Sequence, residues 1–288
     1  MEIDSIVLDI DGVLVDVSES YRRSITETIE SLCGEEFSMD WVQSLKNSGG
    51  FNDDWELTDA GILCILAQRH GYSGTIASLI DQIKKRGGGL SNTRILISEL
   101  VGKSAENEWN PKTVRALFQS LYLGRDNYFD CFNHEPIINV PGYCLSEKTL
   151  VSNKTLNFIT KNFQIGVLTG RPSYEANMFL DTIGLKTEEK CILTMETSSQ
   201  KKPEPGGLIS IAKQLNSSNI AFVGDSIDDI QTVVNAKKID NSRNYFSIGV
   251  LTGGISGANG ERLLKNSGAD EVISSINDLP NILSNSLI

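Results

Sequence analysis

The chain has 288 residues and sets 26 Lys+Arg against 37 Asp+Glu, a formal net charge of −11. With 40% apolar and 22% charged residues it belongs with chains that fold around a core, in one large or two modest domains, not with disordered ones. The acidic balance excludes sequence-independent nucleic-acid binding, which runs on Lys/Arg contacts to phosphate; the lack of a basic amphipathic segment excludes a membrane-surface role. The first segment, Ser5 to Ile10, is a short β-branched apolar run stopped by Asp11-Gly12, which predicts a buried strand ending in a turn. From about 18 to 125 apolar residues recur at three- and four-residue spacing. Ser18 can cap a helix bearing Tyr21, Ile25, Ile29 and Leu32, and Ser38 a second with Trp41, Val42 and Leu45. Thr58 to His70, Thr75 to Arg86, Asn92 to Val101 and, after Asn110-Pro111, Lys112 to Tyr122 continue the helical run. Gly49-Gly50 and Gly87-Gly88-Gly89 break it and predict mobile loops.

After about residue 140 strands and helices alternate. Gln164–Leu168, Cys191–Thr194, Ile220–Val223, Tyr245–Val250 and Glu271–Ile273 read as strands, with helix-length segments near 147–162, 173–183, 206–215, 227–236, 260–267 and 277–284. That alternation predicts an α/β fold, a doubly wound parallel sheet joined by right-handed crossovers. The first strand has no partners near it in sequence, so it belongs with this half. The expected domains are therefore 1–15 with 140–288 as one α/β core, and 16–139 as an all-helical insertion. The longest purely apolar stretch, Ile62 to Ala67, is far short of a bilayer span, and MEIDSIVLDIDG is acidic where a secretory signal is positive. A soluble, cytoplasmic protein is expected, its five scattered cysteines reduced. Two histidines cannot build a multi-histidine zinc site, and no GxSxG elbow supports a serine hydrolase.

Open parallel sheets bind ligands outside the carboxyl ends of their strands. Four segments meet that description: Asp9-Ile10-Asp11-Gly12, Thr169-Gly170-Arg171-Pro172, Lys201-Lys202-Pro203 before a helix, and Gly224-Asp225-Ser226-Ile227-Asp228-Asp229. Each alone has a plain structural explanation: a turn, a helix cap, a solvated lysine, carboxylates at a positive helix end. Together they provide carboxylates, a hydroxyl and a lysine on one edge. Asp9 and Asp11, two apart, face one side. One can attack phosphorus to form an aspartyl-phosphate while the other protonates the leaving oxygen and then activates water. Asp9, Asp11, Asp225 and Asp229 cannot all stay ionised together without a cation, and a hard ion such as Mg²⁺ answers that need. Thr169, Lys202 and backbone amides would hold the phosphoryl oxygens.

These segments resemble the four motifs of the haloacid dehalogenase superfamily: VLDIDGVLVD, VLTGR, KKPEP and GDSIDD. The resemblance covers residues 1–15 and about 140–288 and implies a Rossmann-like core carrying an inserted helical cap. It implies Asp9 as nucleophile and Asp11 as acid/base, with Thr169, Gly170 and Lys202 on the phosphate. Lys201 is the alternative to Lys202. Mg²⁺ would be held by the side chains of Asp9 and Asp225 and the backbone carbonyl of Asp11, with Asp229 in support and Asp228 in solvent. The aspartate at position 11 follows the phosphatase pattern, so the implied activity is Mg²⁺-dependent hydrolysis of a small phosphorylated metabolite. A phosphomutase of the beta-phosphoglucomutase type, or a non-catalytic phospholigand-binding protein, are the alternatives.

Cap loops in that superfamily touch substrate, and the stretch Lys46 to Trp55 singles out Lys46, Asn52 and Asp53. Trp41, Trp55 and Trp109 read as cap packing, and Arg23 and Arg171 as candidate anion contacts. Thr252-Gly253-Gly254-Ile255-Ser256-Gly257 follows a strand as dinucleotide loops do, but it lacks GxGxxG spacing and reads as a strand-to-helix turn.

Overall fold

A computed structural model describes residues 2–51 and 53–283. The chain divides into two compact units, Met1–Asp16 with Lys148–Ile288, and Val17–Glu147.

The strands of the first unit are β1 (Ser5–Leu8), β2 (Val15–Asp16), β3 (Lys148–Thr149), β4 (Gln164–Leu168), β5 (Ile192–Leu193), β6 (Asn219–Gly224), β7 (Asn244–Val250) and β8 (Glu271–Ile273). Six of them form a parallel sheet in the order β5-β4-β1-β6-β7-β8. β1 therefore lies inside the sheet, and all four of its residues are buried, as a strand covered on both faces requires. The order reverses around β1: the chain runs outward through β4 and β5, then crosses to β6 on the other side. A crevice at such a reversal is where this class of sheet binds ligands. β2 and β3 pair antiparallel outside the main sheet, Val15 opposite Thr149 and Asp16 opposite Lys148.

The helical unit contains α1 (Tyr21–Cys33), α2 (Met39–Lys46), α3 (Asp54–Arg69), α4 (Ile76–Lys85), α5 (Gly89–Val101), α6 (Ser104–Glu108) and α7 (Pro111–Phe132). α3 is its centre: Leu57 through Ala67 are all buried, the pattern of a helix packed all round. It begins before the expected Thr58 because the Asp53 side chain accepts hydrogen bonds from the amides of Trp55 and Glu56 and caps it. α7 runs past the expected Tyr122 through a kink at Gly124 (φ 69°, ψ −179°). The unit extends to Glu147, beyond the expected 139, because a 3₁₀ turn at Tyr143–Ser146 packs back on α7.

The two glycine runs, Gly49-Gly50 and Gly87-Gly88-Gly89, meet each other. A Cβ on Gly88 (φ +71°) would lie 1.9 Å from the Gly49 carbonyl oxygen, so the two loops pass backbone against backbone and need glycine for that approach.

The core helices are α8 (Asn153–Asn162), α9 (Ser173–Ile183), α10 (Gly206–Gln214), α11 (Ile227–Ile239), α12 (Gly257–Asn266) and α13 (Leu279–Leu283). Leu208 and Ile211 of α10 and Val233 of α11 join Val7, Leu168, Phe222 and Tyr245 from the sheet in one buried apolar cluster. Burial of a leucine- or phenylalanine-sized side chain contributes about 1.5–3 kcal/mol, so this cluster fixes the strand ends that carry the polar residues. No helix among the described residues is long and apolar enough to cross a membrane, and all five cysteines are free thiols.

Candidate active site

Strand register places the polar groups. Leu8 is level with Val167 of β4 and with Val223 of β6, so Asp9, Thr169 and Asp225 leave the sheet at one edge. The Asp9 amide still donates to the Val223 carbonyl at 3.0 Å, holding its side chain at the rim. Asp9 is 5% exposed; its Oδ1 accepts from the Ile10 amide at 2.8 Å and its Oδ2 lies 2.9 Å from Lys202 Nζ. Burial, with the neighbouring Asp229 and Asp11 adding, pushes the Asp9 carboxyl up to about 7 against the pull of the Lys202 ammonium.

Lys202 is buried while Lys201 is exposed, and it is Lys202 that reaches the carboxylates: Nζ lies 2.6 Å from Asp229 Oδ1 as well as 2.9 Å from Asp9. Burial pulls its ammonium toward the neutral form, but Asp229 and Asp9 together outweigh that and hold it above the ordinary lysine value. Asp229 is the hub of this network. Its Oδ2 accepts from the amides of Asp225 and Ser226 and from the Ser226 hydroxyl, and Ser226 in turn caps α11 through the Asp229 amide. The Ser-x-x-Asp spacing of this capping box is visible in the sequence. Asp228, expected in solvent, is 8% exposed, in a helix start where Asp229, Ile230 and Thr232 are buried as well.

Asp225 sits in a cradle made by two glycines. A Cβ on Gly253 would fall 1.5 Å from Asp225 Oδ2, and one on Gly12 (φ +71°) 2.4 Å from it. The Thr252 hydroxyl donates to the Gly12 carbonyl and ties the two loops together. The glycine-rich turn after β7 is thus a wall of the carboxylate site, and nothing in its spacing announces that role.

Carboxylate oxygens of Asp9, Asp225 and Asp229 can come within 4.8 Å of one another. An all-oxygen donor set of this kind suits a hard divalent cation. Asp229 accepts four hydrogen bonds, from Lys202, the Asp225 and Ser226 amides and the Ser226 hydroxyl, whereas Asp9 accepts one at each oxygen, so Asp9 keeps more acceptor capacity for an ion than Asp229. The glycine cradle leaves Asp225 space that any side chain would fill.

Thr169 is 3% exposed and its Oγ accepts from the Arg171 amide at 3.1 Å, so its hydroxyl proton can point elsewhere; Gly170 lies between them. Asp11 meets Arg171, whose Nε and Nη2 lie 2.8 and 2.7 Å from Asp11 Oδ1. Arg171 pairs with a carboxylate here, where the sequence suggested an anion contact. Arg23 pairs with Glu27 at 2.6 Å and lies over the Tyr143 ring.

The candidate cap residues belong to the helical unit. Lys46 ends α2 and pairs with Asp54 at 2.9 Å, Asp53 caps α3, and Asn52 lies outside the described residues. Trp41 packs edge-on to Phe37, Arg115 lies 3.6 Å over the Trp55 ring, and Trp109 donates to Asp59.

Comparison with known proteins agrees with this architecture. The family profile described as haloacid dehalogenase-like hydrolase matches residues 3–237. An imidazoleglycerol-phosphate dehydratase from Phytophthora nicotianae is 26% identical over 231 residues, 79% of this chain and 40% of that protein, so the chain spans less than half of that relative. Phosphatase Tt82 from Thermococcus thioreducens shares the fold with a TM-score of 0.61 and 24% identity, covering 91% of this chain and 98% of the other. A predicted phosphoglycolate phosphatase from Haemophilus somnus does so with a TM-score of 0.58 and 17% identity, covering 98% of each. The α/β sheet with β1 at its switch point, the four polar segments at its carboxyl edge and the profile match converge: the chain belongs to the haloacid dehalogenase-like hydrolase family.

Proposed function

We propose that the protein is a Mg²⁺-dependent phosphatase that hydrolyses a small phosphorylated metabolite through an aspartyl-phosphate on Asp9. The observation that supports this best is the setting of Asp9: a buried carboxylate at the switch-point edge, with the Ile10 amide on one oxygen and the Lys202 ammonium on the other. Asp9 and Asp225, with the Asp11 backbone carbonyl, would hold the ion, and Asp229 would support them through Lys202 and the capping box. When bound, Mg²⁺ neutralises the clustered carboxylates and draws charge from the phosphoryl oxygens.

The residues of the chain carry the remaining steps. The Lys202 ammonium has three donors; two are directed at Asp9 and Asp229, and the third donates to a phosphoryl oxygen. The Thr169 hydroxyl and the Gly170 amide supply further donors. An Asp9 carboxylate oxygen bonds to phosphorus as the bond from phosphorus to the leaving oxygen breaks, and a proton held on Asp11 passes to that oxygen. In the second half Asp11 takes a proton from water, the water oxygen bonds to phosphorus, and the Asp9–phosphorus bond breaks to release inorganic phosphate.

The test is phosphate release from 4-nitrophenyl phosphate with Mg²⁺, beside Asp9→Asn. Wild type is expected to turn over and to trap labelled phosphate on the protein, and Asp9→Asn to do neither; equal activity in the two would sink the mechanism. A panel of phosphate monoesters then defines the substrate. It includes an imidazole-bearing alcohol phosphate, because the curated relative is named for acting on a phosphorylated imidazoleglycerol.

A further inference from the structure

We infer that Arg171 is a positioning residue for proton transfer: it clamps Asp11 by Oδ1 and leaves Oδ2 as the oxygen that gives and takes the proton. This rests on the acid/base role proposed for Asp11 above and adds to it a partner and an atom.

The geometry is one-sided. Nε and Nη2 of Arg171 both converge on Asp11 Oδ1, at 2.8 and 2.7 Å, while Oδ2 makes no hydrogen bond among the described residues. The Arg171 side chain is 0% exposed and that of Asp11 is 26% exposed, so the clamp lies inside and the carboxylate faces out. A wholly buried guanidinium is costly unless paired, and it stays charged because arginine does not deprotonate in proteins.

Arg171 is itself held along its length. Its amide donates to Thr169 Oγ at 3.1 Å, its carbonyl accepts from the Met195 amide at 3.0 Å, and its guanidinium carbon lies 5.4 Å from the Phe179 ring centre. Glu175, in the first turn of α9, is buried with Oε2 unpartnered; burial, with Asp11 and Glu196 adding, holds its carboxyl well above the ordinary range.

An unclamped aspartate presents either oxygen, because its terminal torsion is broad and two-fold. Fixing Oδ1 removes that ambiguity and directs Oδ2 outward. General acid–base catalysis supplies about 10²–10⁴-fold in rate, and misplacing a reacting group by an ångström can forfeit about 10²-fold. The loss in kcat/KM, which reports the steps up to departure of the leaving group, should appear only where that group needs a proton.

The experiment compares kcat and KM of wild type, Arg171→Gln and Arg171→Lys on an alkyl phosphate, a poor leaving group, and on 4-nitrophenyl phosphate, which departs without a proton. Arg171→Gln is expected to lower kcat/KM on the alkyl ester by about 10–100-fold with KM unchanged, and to leave kcat/KM on the aryl ester, which is set before water attacks the phosphoenzyme, nearly untouched. On the aryl ester kcat falls where that second step limits it, because Asp11 is the base there too. Arg171→Lys should recover part of the loss. In an Asp11→Asn background, Arg171→Gln should cost nothing further.

Equal loss of kcat/KM on both esters, or further loss in the Asp11→Asn background, overturns the inference. Circular dichroism and a thermal midpoint check folding, and if Arg171→Gln does not fold, the same ratio read on Arg171→Lys decides. Failure of the wild-type protein to release phosphate from either ester would instead overturn the phosphatase proposal and the inference with it.

Discussion

At the scale of the residue, the site is built around one buried cation. Lys202 lies between Asp9 and Asp229, and none of the three is more than a tenth exposed. Such a triad is not a large net stabiliser, since desolvation offsets most of the attraction, but removing one partner strands the others. Lys202→Met should therefore destabilise the protein by about 3–5 kcal/mol in chemical denaturation at neutral pH, and a loss below about 1 kcal/mol, the range of exposed pairs, would show that the network is solvated. The sequence names these three residues because strand ends followed by carboxylates and a lysine need only local pattern to be seen. It could not name the Arg171–Asp11 clamp or the Gly12 and Gly253 cradle. Those depend on residues far apart in the chain meeting across strand ends, and an arginine or glycine looks the same whether it does so or not.

At the scale of the element, α3 shows what burial does to a helix. Asp59 faces inward, 7% exposed, and accepts from Trp109 Nε1 at 2.7 Å. Burial pushes its carboxyl up from 3.8 to about 7; the Trp109 hydrogen bond opposes this, and Asp53 and Glu56 add to it. The folded value lies above the unfolded one, so the group's contribution is whole below the unfolded value. It is then lost progressively as pH rises from there through about 7. Asp59→Asn removes the loss while keeping an acceptor for Trp109. Its thermal midpoint should exceed that of wild type at pH 8, and the gap should shrink toward pH 5; a gap of the same size at both would refute the assignment. Element existence was readable here and boundaries less so. The Asp53 cap moved the start of α3, and the Gly124 kink let α7 continue beyond its pattern. β2 and β3, two residues each, are too short to show any periodicity, while β5 lies inside the expected Cys191–Thr194. The short α6 has too few turns to display a face.

At the scale of the whole molecule, the discontinuous core was legible because Ser5 to Leu8, a buried strand, has no neighbour to pair with until Gln164. What the sequence does not show is how the chain leaves and re-enters that core. It does so through β2 and β3, whose antiparallel pairing sets Asp16 opposite Lys148 at the two unit boundaries. The insertion therefore departs from two adjacent strand ends, the geometry that a two-residue hairpin turn closes. Two apolar clusters of the core, one with Val7, Phe222 and Val233 and one with Ile230 and Leu264, are built from residues of the first unit. So do Asp9, Asp11, Thr169, Lys202, Asp225 and Asp229. Joining Asp16 to Lys148 through Asn-Gly, with 17–147 removed, should then give a protein that unfolds in one cooperative transition. It should bind Mn²⁺, read by the loss of free-ion signal in electron paramagnetic resonance, as the full chain should. An Asp225→Ala version should fold but leave the Mn²⁺ signal unchanged. A broad, non-cooperative melt would mean that the core needs its insertion to fold, and a folded core without Mn²⁺ binding would mean that the cation site is not complete within the first unit.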